Sequence, residues 1–295
     1  MRILFASGKG GAGKTTVTAG MARVWPRSFV LADADVEAPD LRLFLPHSFA
    51  EKTQVEIEVP RAVNVKCDGC GKCLEICQFH AIARLGGRIV FFPDMCHGCG
   101  GCFAVCEPHA IVAGTRLLGE VHLGTALNTV PFLEGRTRIG EPMTPPVIRA
   151  LLKAAEKTAF DRHADLIVDA PPGVSCPVMT AVQHADAVVL VADPTPFGLS
   201  DFLLAHIAVR ASGLPVAVVI NRSGQEEAAQ SEAALRAYCE KTGLFLAGAL
   251  PFDREMAKAN AENRNDAPLS DEWTQRFKAV SEALLTVFTE ETCHA

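Results

Sequence analysis

The stretch Gly8-Lys-Gly-Gly-Ala-Gly-Lys-Thr-Thr16 decides the fold of this chain. It contains the pattern G-x-x-x-x-G-K-[ST], with a short apolar run at residues 2–6 before it and a helix-like segment at residues 14–24 after it. A glycine-rich loop between a strand and a helix binds phosphate, because its backbone N–H groups turn inward and the helix N-terminus carries partial positive charge. The sequence therefore predicts a P-loop that binds ATP or ADP.

The residues of this loop have separate expected tasks. We expect Lys14 to reach the β- and γ-phosphates and the Thr15 hydroxyl to bind Mg²⁺. The expected nucleotide-binding residues of the loop are Gly8, Lys9, Gly10, Gly11, Ala12, Gly13, Lys14, Thr15 and Thr16.

The rest of the chain alternates between short apolar runs and helix-like segments, which is typical of βαβ units and a doubly wound parallel sheet. The fold class predicted is α/β, a P-loop NTPase with a mostly parallel sheet. The expected strands are residues 2–6, 28–33, 165–169, 186–192, 215–220 and 245–249. The expected helices are residues 14–24, 146–159, 199–211, 226–242 and 271–288.

Between the second and third expected strands the alternation stops for more than a hundred residues, and this gap holds eight of the eleven cysteines. Shifting residues 67–87 onto 96–116 superposes four cysteines and a His-Ala-Ile triplet, so the region is an internal repeat. We therefore predict a small inserted α+β domain at 59–118, within a nucleotide-binding domain formed by 1–58 and 119–295. Residues 119–144 are expected to lead back to the sheet through short strands.

Each repeat carries the spacing C-x-x-C-x-x-C-x-x-x-C, which is typical of a [4Fe–4S] site. The insert resembles the bacterial two-cluster ferredoxins, in which the fourth cysteine of each run binds the other cluster. The usual proline after that cysteine is replaced here by Gln78 and by Glu107. The resemblance implies two ligand sets, the first being Cys67, Cys70, Cys73 and Cys106, and the second Cys96, Cys99, Cys102 and Cys77.

Other interpretations of these side chains were weighed. Paired cysteines also form zinc sites, but the extended spacing favours clusters over zinc. His80, His97 and His109 are expected to lie outside the ligand sets. Three cysteines fall outside the runs: Cys176 is a candidate partner-facing thiol or further metal ligand, whereas Cys239 and Cys293 are expected to have no site role.

Lys9 makes the P-loop unusual. A lysine at this place, in the form K-G-G-x-G-K-T, resembles the deviant Walker A loop of the MinD, Mrp and nitrogenase iron protein group of ATPases. In that group this lysine reaches across a dimer interface and neutralises charge on the transferred phosphoryl group, as an arginine finger does. The resemblance implies ATP hydrolysis and an ATP-promoted dimer, formed with a second copy or with a related ATPase.

The same resemblance extends along the chain. Asp33-Ala34-Asp35 resembles the first switch, which implies that Asp35 orients or activates the attacking water and holds Mg²⁺ directly or through water. Asp169, which begins Asp-Ala-Pro-Pro-Gly173, resembles the Walker B acid that holds Mg²⁺ through water. Asn221 resembles the adenine-reading asparagine, and Pro251 and Asp253 resemble the adenine-side loop. Lys9, Lys14, Asp35 and Asp169 are thus the expected catalytic residues.

Composition excludes several classes of function. A net charge of −6 without a basic run argues against a nucleic-acid surface. No apolar run approaches the length of a membrane span, and the charges that flank the apolar stripe at 273–288 are mixed. We expect a cytoplasmic protein with no stable membrane insertion, in a reducing compartment where clustered cysteines bind metal.

Three functions remain open from the sequence. The first is an ATPase whose nucleotide-dependent dimerisation is coupled to electron transfer through the two clusters, toward a redox protein of unknown identity. The second is an ATP-dependent factor that assembles or carries iron–sulfur or other metal clusters for a protein partner. The third is a positioning or scaffold ATPase in which the clusters are structural or sense redox state.

Overall fold

The computed structural model describes residues 1–261 and 268–292. The strands are β1 Arg2–Ala6, β2 Phe29–Asp33, β3 His47–Val63, β4 Ile82–Leu85, β5 Arg88–Phe91, β6 Ile111–Ala126, β7 Val130–Thr137, β8 Asp165–Asp169, β9 Ala187–Ala192, β10 Val216–Ser223 and β11 Phe245–Pro251. The helices are α1 Lys14–Val24, α2 Lys72–Ile76, α3 Gly101–Ala104, α4 Pro145–Asp161, α5 Cys176–Val182, α6 Pro196–Arg210, α7 Ala229–Thr242, α8 Arg254–Ala261 and α9 Asp271–Thr292. Three short 3₁₀ segments are Leu41–Phe44, Pro93–Met95 and Glu226–Ala228.

Within the described residues, a 9-stranded sheet has the order β11-β10-β9-β1-β8-β2-β7-β6-β3. The strands from β11 to β7 pair in parallel, as the helical crossovers between most of them require. The register aligns Asp33 of β2 with Asp169 of β8 on one side and with Glu134 of β7 on the other. Three acidic residues on adjacent strands therefore lie at the carboxyl edge of the sheet.

The chain divides into two compact units. The first is Met1–Thr53, Val121–Arg136 and Thr144–Ala295, and the second is Gln54–Glu120 with Thr137–Met143. The chain passes from the first unit to the second within β3 and returns within β6. After β7 it enters the second unit again as Thr137–Met143, which we call the return segment.

The core of the first unit packs α1 and α9 on one face of the sheet. The apolar stripe of α9, from Trp273 through Phe277 and Leu284 to Phe288, is buried in this core. Gly20 of α1 leaves room for the Phe277 ring, since a Cβ at this position would lie 2.2 Å from the ring. The stripe therefore serves packing. Among the described helices, none combines the length and the apolar composition needed to cross a bilayer.

The second unit has a small core, in which Ile82, Phe91 and Cys102 are buried. Its two cysteine runs repeat in backbone geometry as well as in sequence. Left-handed φ angles occur at three matched pairs of positions: Gly69 and Gly98, Gly71 and Gly100, and His80 and His109. The two histidines thus share an equivalent turn position.

Part of the organisation differs from the sequence expectation. The expected strands are present within a few residues, and β3 adds to them. The strands expected at 119–144 are the end of β6 and β7, although β6 begins earlier and is longer than expected; these neighbouring strands are joined at residues 127–129, where Leu127 and Asn128 have positive φ. Helices α5 and α8 were not predicted, because they are only 7 and 8 residues long.

Candidate functional site

The P-loop joins β1 to α1, and close packing fixes its shape. A Cβ at Gly8 would lie 2.0 Å from the Asp201 carbonyl oxygen, and a Cβ at Gly13 would lie 2.0 Å from Asn221 Nδ2. Gly13 also has φ 84°, which favours glycine, and α1 begins at the next residue. The loop therefore requires glycine at both ends for steric reasons.

Lys14, Thr15 and Asp169 meet at the start of α1. Lys14 Nζ lies 2.8 Å from Asp169 Oδ2, and the Thr15 hydroxyl donates to the same oxygen at 2.8 Å. Thr18, which the sequence analysis did not select, donates to Asp169 Oδ1 at 2.7 Å. Lys14 and Asp169 are both buried. The lysine, the hydroxyl and the acid expected to bind phosphate and Mg²⁺ thus form one connected group.

Asp33 holds the first switch from inside the protein. Its carboxylate accepts the backbone N–H of Asp35 at 3.1 Å and that of Leu41 at 2.9 Å, which closes the loop between them. Burial, together with the nearby charge of Asp169, raises the pKa of Asp33 well above its usual range. Burial also raises the pKa of Asp35 to about 6, against the opposing effect of the Lys14 ammonium. Asp35 is thus near the buried group, with a pKa suited to acid–base work close to neutrality.

Lys9 is held within its own chain by residues that the sequence analysis missed. Its Nζ lies 3.2 Å from Asp193 Oδ2 and 3.5 Å from the Thr195 hydroxyl. Asp193 is buried and immediately follows β9, and Arg222 Nη1 lies 3.9 Å from the same carboxylate oxygen. A polar residue directly after a buried parallel strand was the signal that could have identified Asp193.

The three residues expected on the adenine side line one cavity of about 200 Å³. Asn221, Pro251 and Asp253 share this cavity with Thr16 of the P-loop. The side chains of Asn221 and Asp253 already have partners, however. Asn221 Nδ2 donates to the Ala12 carbonyl at 2.9 Å, which ties the cavity to the P-loop.

Asp253 has a structural task as well. One carboxylate oxygen accepts the backbone N–H groups of Glu255 and Met256 at the start of α8, at 2.8 and 3.1 Å. The other accepts the Trp273 indole N–H at 2.6 Å, a bond that lowers the pKa of Asp253. Asp253 thus caps α8 and ties it to α9 at the edge of the cavity.

The eight cysteines of the two runs line two cavities of the second unit. The Cys67 cavity is lined by Cys67, Cys70, Cys73 and Cys106 among other residues. The Cys96 cavity is lined by Cys77, Cys96, Cys99 and Cys102, together with the stacked rings of Phe79 and His97. Each cavity therefore combines three cysteines of one run with the fourth cysteine of the other run.

The chemistry of these cavities suits thiolate ligands. The described cysteines are all free, and backbone N–H groups of Ala81 and Ala110 donate to the sulfurs of Cys77 and Cys106 at 3.3 and 3.2 Å. Burial raises the pKa of the Cys102 thiol to about 11, which favours the neutral thiol there unless a nearby cation stabilises the thiolate. Among residues 1–261 and 268–292, no three potential ligands converge as a single ion would need.

The other cysteines are separate from these cavities. Cys176 is exposed at the first residue of α5, and Cys239 is buried in α7. Cys293 lies outside the described residues.

The comparisons with known proteins agree with the first unit. A family model described as the CobQ/CobB/MinD/ParA nucleotide binding domain matches residues 3–266. The chain belongs to this family. A relative from Methanocaldococcus jannaschii, the uncharacterized protein MJ0578, is 32% identical over 226 residues, which are 76% of this chain and 79% of the relative.

Two solved structures show the shared fold of this MinD/ParA-type ATPase family. The septum site-determining protein MinD from Pyrococcus horikoshii, complexed with Mg-ADP, has a TM-score of 0.54 at 18% identity and covers 96% of this chain and 95% of its own. The MinC:MinD cell division protein complex from Aquifex aeolicus gives a TM-score of 0.56 at 15% identity, covering 97% and 96%. The predicted α/β P-loop fold with a large, mostly parallel sheet is confirmed.

Proposed function

We propose that this family member hydrolyses ATP with Mg²⁺ and couples nucleotide-dependent dimerisation to electron transfer through two [4Fe–4S] clusters. One observation carries the coupling: a buried phosphate-binding group and two crossed cysteine cavities occur in one chain. Neither feature alone indicates electron transfer that nucleotide controls. A P-loop without cysteines is found in many ATPases, and cysteine runs alone are typical of a passive electron carrier.

The ATPase part of the proposal rests on the Lys14, Thr15 and Asp169 group. On nucleotide binding, Lys14 would exchange Asp169 for the phosphates, which would free the acid to hold Mg²⁺ together with the Thr15 hydroxyl. When bound, Mg²⁺ would supply positive charge against that of the transferred phosphoryl group. Asp35 orients the attacking water, and its raised pKa makes it a competent proton acceptor near neutral pH.

The dimer part of the proposal rests on Lys9. Its ammonium has only Asp193 and the Thr195 hydroxyl as described partners, and its side chain is 29% exposed. The lysine can reach a partner's nucleotide because its side chain is partly exposed. Arg222 Nη1, 3.9 Å from the same oxygen, remains beside the buried Asp193 carboxylate when Lys9 leaves. We infer that ATP binding in two facing P-loops promotes this exchange.

The electron-transfer part rests on the crossed cavities. Cys67, Cys70, Cys73 and Cys106 would hold one cluster, and Cys96, Cys99, Cys102 and Cys77 the other. When bound, each cluster supplies one-electron chemistry. The chain contributes the thiolates, backbone N–H donors to sulfur, and apolar walls such as Phe79 and Phe103 that exclude water.

The test is anaerobic iron and sulfide analysis combined with electron paramagnetic resonance, with and without MgATP. About eight irons per chain, for two four-iron clusters, with spectra that change with nucleotide, support the proposal. About four irons or none contradict two clusters, and spectra indifferent to nucleotide contradict the coupling.

A second candidate is an ATP-dependent factor that assembles or carries clusters, and one observation favours it. Cys70 and Cys99, one from each ligand set, are exposed, as is Cys176 outside the sets. Exposed thiolates exchange metal more readily than buried ones. Transfer of iron to an apo-protein, at a rate that depends on ATP, would favour this function over electron transfer.

A further inference from the structure

The two cysteine runs share one backbone pattern but are anchored by different parts of the chain. Asp94 lies two residues before Cys96, and the return segment holds it. Arg138 of this segment has its Nη2 3.4 Å from Asp94 Oδ1. Arg116 of β6 donates from Nη1 to the Asp94 carbonyl oxygen at 2.8 Å. The loop that leads into the second run is thus held by both its side chain and its backbone.

Arg116 depends in turn on the return segment. Its Nη2 donates to Glu141 Oε1 at 3.4 Å and contacts the sulfur of Met143 at 3.2 Å. The side chains of Arg116 and Glu141 are 5% and 0% exposed, and Glu141 Oε1 also accepts the Met143 backbone N–H at 3.0 Å. A buried guanidinium and a buried carboxylate stabilise each other only while both stay in place. Movement of Glu141 therefore displaces Arg116 and, through it, Asp94.

The first run has a different anchor. The repeat places Val65 where the second run has Asp94, and the Val65 side chain is fully exposed. Near the first run, Asn64 donates its backbone N–H to the Ala110 carbonyl at 2.8 Å, and Arg84 Nη2 donates to the Gly69 carbonyl at 2.5 Å. All four of these residues belong to Gln54–Glu120. The described anchors of the first run thus come from the insert itself.

Chain continuity links the return segment to the nucleotide-binding unit. It follows β7 directly, and α4 begins shortly after it at Pro145. Glu134 of β7 aligns with Asp33 of the first switch and binds Arg42, just beyond the switch loop, at 2.8 Å. If nucleotide moves the first switch and, with it, β7 or α4, the chain passes this movement on to the segment that carries Arg138 and Glu141.

We propose that Arg116, Arg138 and Glu141 are positioning residues that make the cluster of the Cys96 cavity respond to nucleotide, while the cluster of the Cys67 cavity does not. This inference rests on the proposed function, because it assigns the coupling to one of the two proposed clusters. ATP then changes the reduction potential of the Cys96-cavity cluster alone. Nucleotide binding therefore shifts electrons between the two clusters of one chain.

The test is a redox titration of each cluster by electron paramagnetic resonance, with and without a non-hydrolysable ATP analogue and Mg²⁺. Cys70→Ser and Cys99→Ser, which occupy matched exposed positions, mark the signals of the Cys67 and Cys96 cavities. We expect the analogue to shift the oxidised-to-reduced ratio of the Cys96-cavity cluster by about tenfold, about 59 mV for one electron, and that of the other cluster by much less. An equal shift in both clusters, or a larger one in the Cys67 cavity, overturns the inference.

Variants separate positioning from simple stability. Glu141→Gln keeps the size of the side chain but removes the charge that holds Arg116. Arg138→Ala removes a contact between side chains that are 48% and 83% exposed, so its loss should cost little stability. Both should keep about eight irons per chain and reduce the nucleotide shift, whereas Arg84→Gln, the matched control at the first run, should leave it unchanged. If the nucleotide shift of the Cys96-cavity cluster keeps its wild-type size in both Glu141→Gln and Arg138→Ala, the inference is overturned. If neither cluster of the wild-type protein responds to nucleotide, or if the protein holds no clusters, the proposed function is contradicted instead.

Discussion

The Lys9 ammonium lies 3.2 Å from the Asp193 carboxylate of its own chain. Asp193 is buried directly after β9, and its Oδ2 also accepts the Thr195 hydroxyl at 3.3 Å. The lysine that resemblance assigns to a partner's nucleotide is therefore bound internally in the single chain. In the proposed dimer, internal binding would compete with binding across the interface, so the Asp193 carboxylate would oppose association.

Removing that competitor should strengthen the dimer. Asp193→Asn keeps the shape of the side chain but not its charge, so we expect ATP-promoted dimerisation to tighten by at least about twofold, the lower end being that of an exposed ion pair. Sedimentation velocity with MgATP measures the effect. Lys9→Ala is the control and should abolish the ATP dependence. Unchanged association in Asp193→Asn would show that the contact does not restrain Lys9.

The pH dependence of ATP hydrolysis should follow Asp35. Its pKa is raised to about 6, mainly by burial, and the ionised carboxylate is the form that accepts a proton from water. Protonation therefore removes activity, so kcat/KM for ATP should fall as pH decreases through about 6 and level off above it. Asp35→Asn should lose hydrolysis while keeping nucleotide binding. A profile that is flat between about pH 5 and 8 would exclude this role for Asp35.

Crossed ligation makes a specific prediction about single cysteines. Cys77→Ala should lose the cluster of the Cys96 cavity, although Cys77 belongs to the first run, and Cys106→Ala should lose the cluster of the Cys67 cavity. Each variant should retain about four irons per chain. Adding Cys99→Ser to Cys77→Ala should leave the remaining spectrum unchanged, whereas adding Cys70→Ser should alter it. The reverse pattern would mean that each run holds its own cluster.

Much of the nucleotide site follows from local sequence. The loop Gly8–Thr16 and the strand-end acids Asp33 and Asp169 are set by patterns that act over a few residues, and the structure brings Lys14, Thr15 and Asp169 together. The partners of these residues were harder to predict. Asp193 meets Lys9, and Trp273 meets Asp253, only because distant elements pack side by side.

The strands of the sheet also differ in how far local sequence predicts them. Buried central strands such as β1 and β9 are recognisable because every residue of β9, and every residue of β1 after Arg2, is apolar, as a strand covered on both faces requires. β3 is largely exposed, so its sequence carries no such run, and its place at the sheet edge depends on pairing with β6 far along the chain. The role of the return segment is harder still to predict from sequence, because Arg116 and Glu141 lie on either side of β7 in the chain and meet only in the fold.

The central claim is that nucleotide and cluster states affect each other. Because such a coupling is reciprocal, reduction of the clusters must change nucleotide affinity by the same factor by which nucleotide changes reduction. Calorimetry with a non-hydrolysable ATP analogue and Mg²⁺, on the oxidised and the fully reduced protein under anaerobic conditions, measures this directly. We predict affinities that differ by about fivefold or more. Equal affinities in the two redox states would contradict the account.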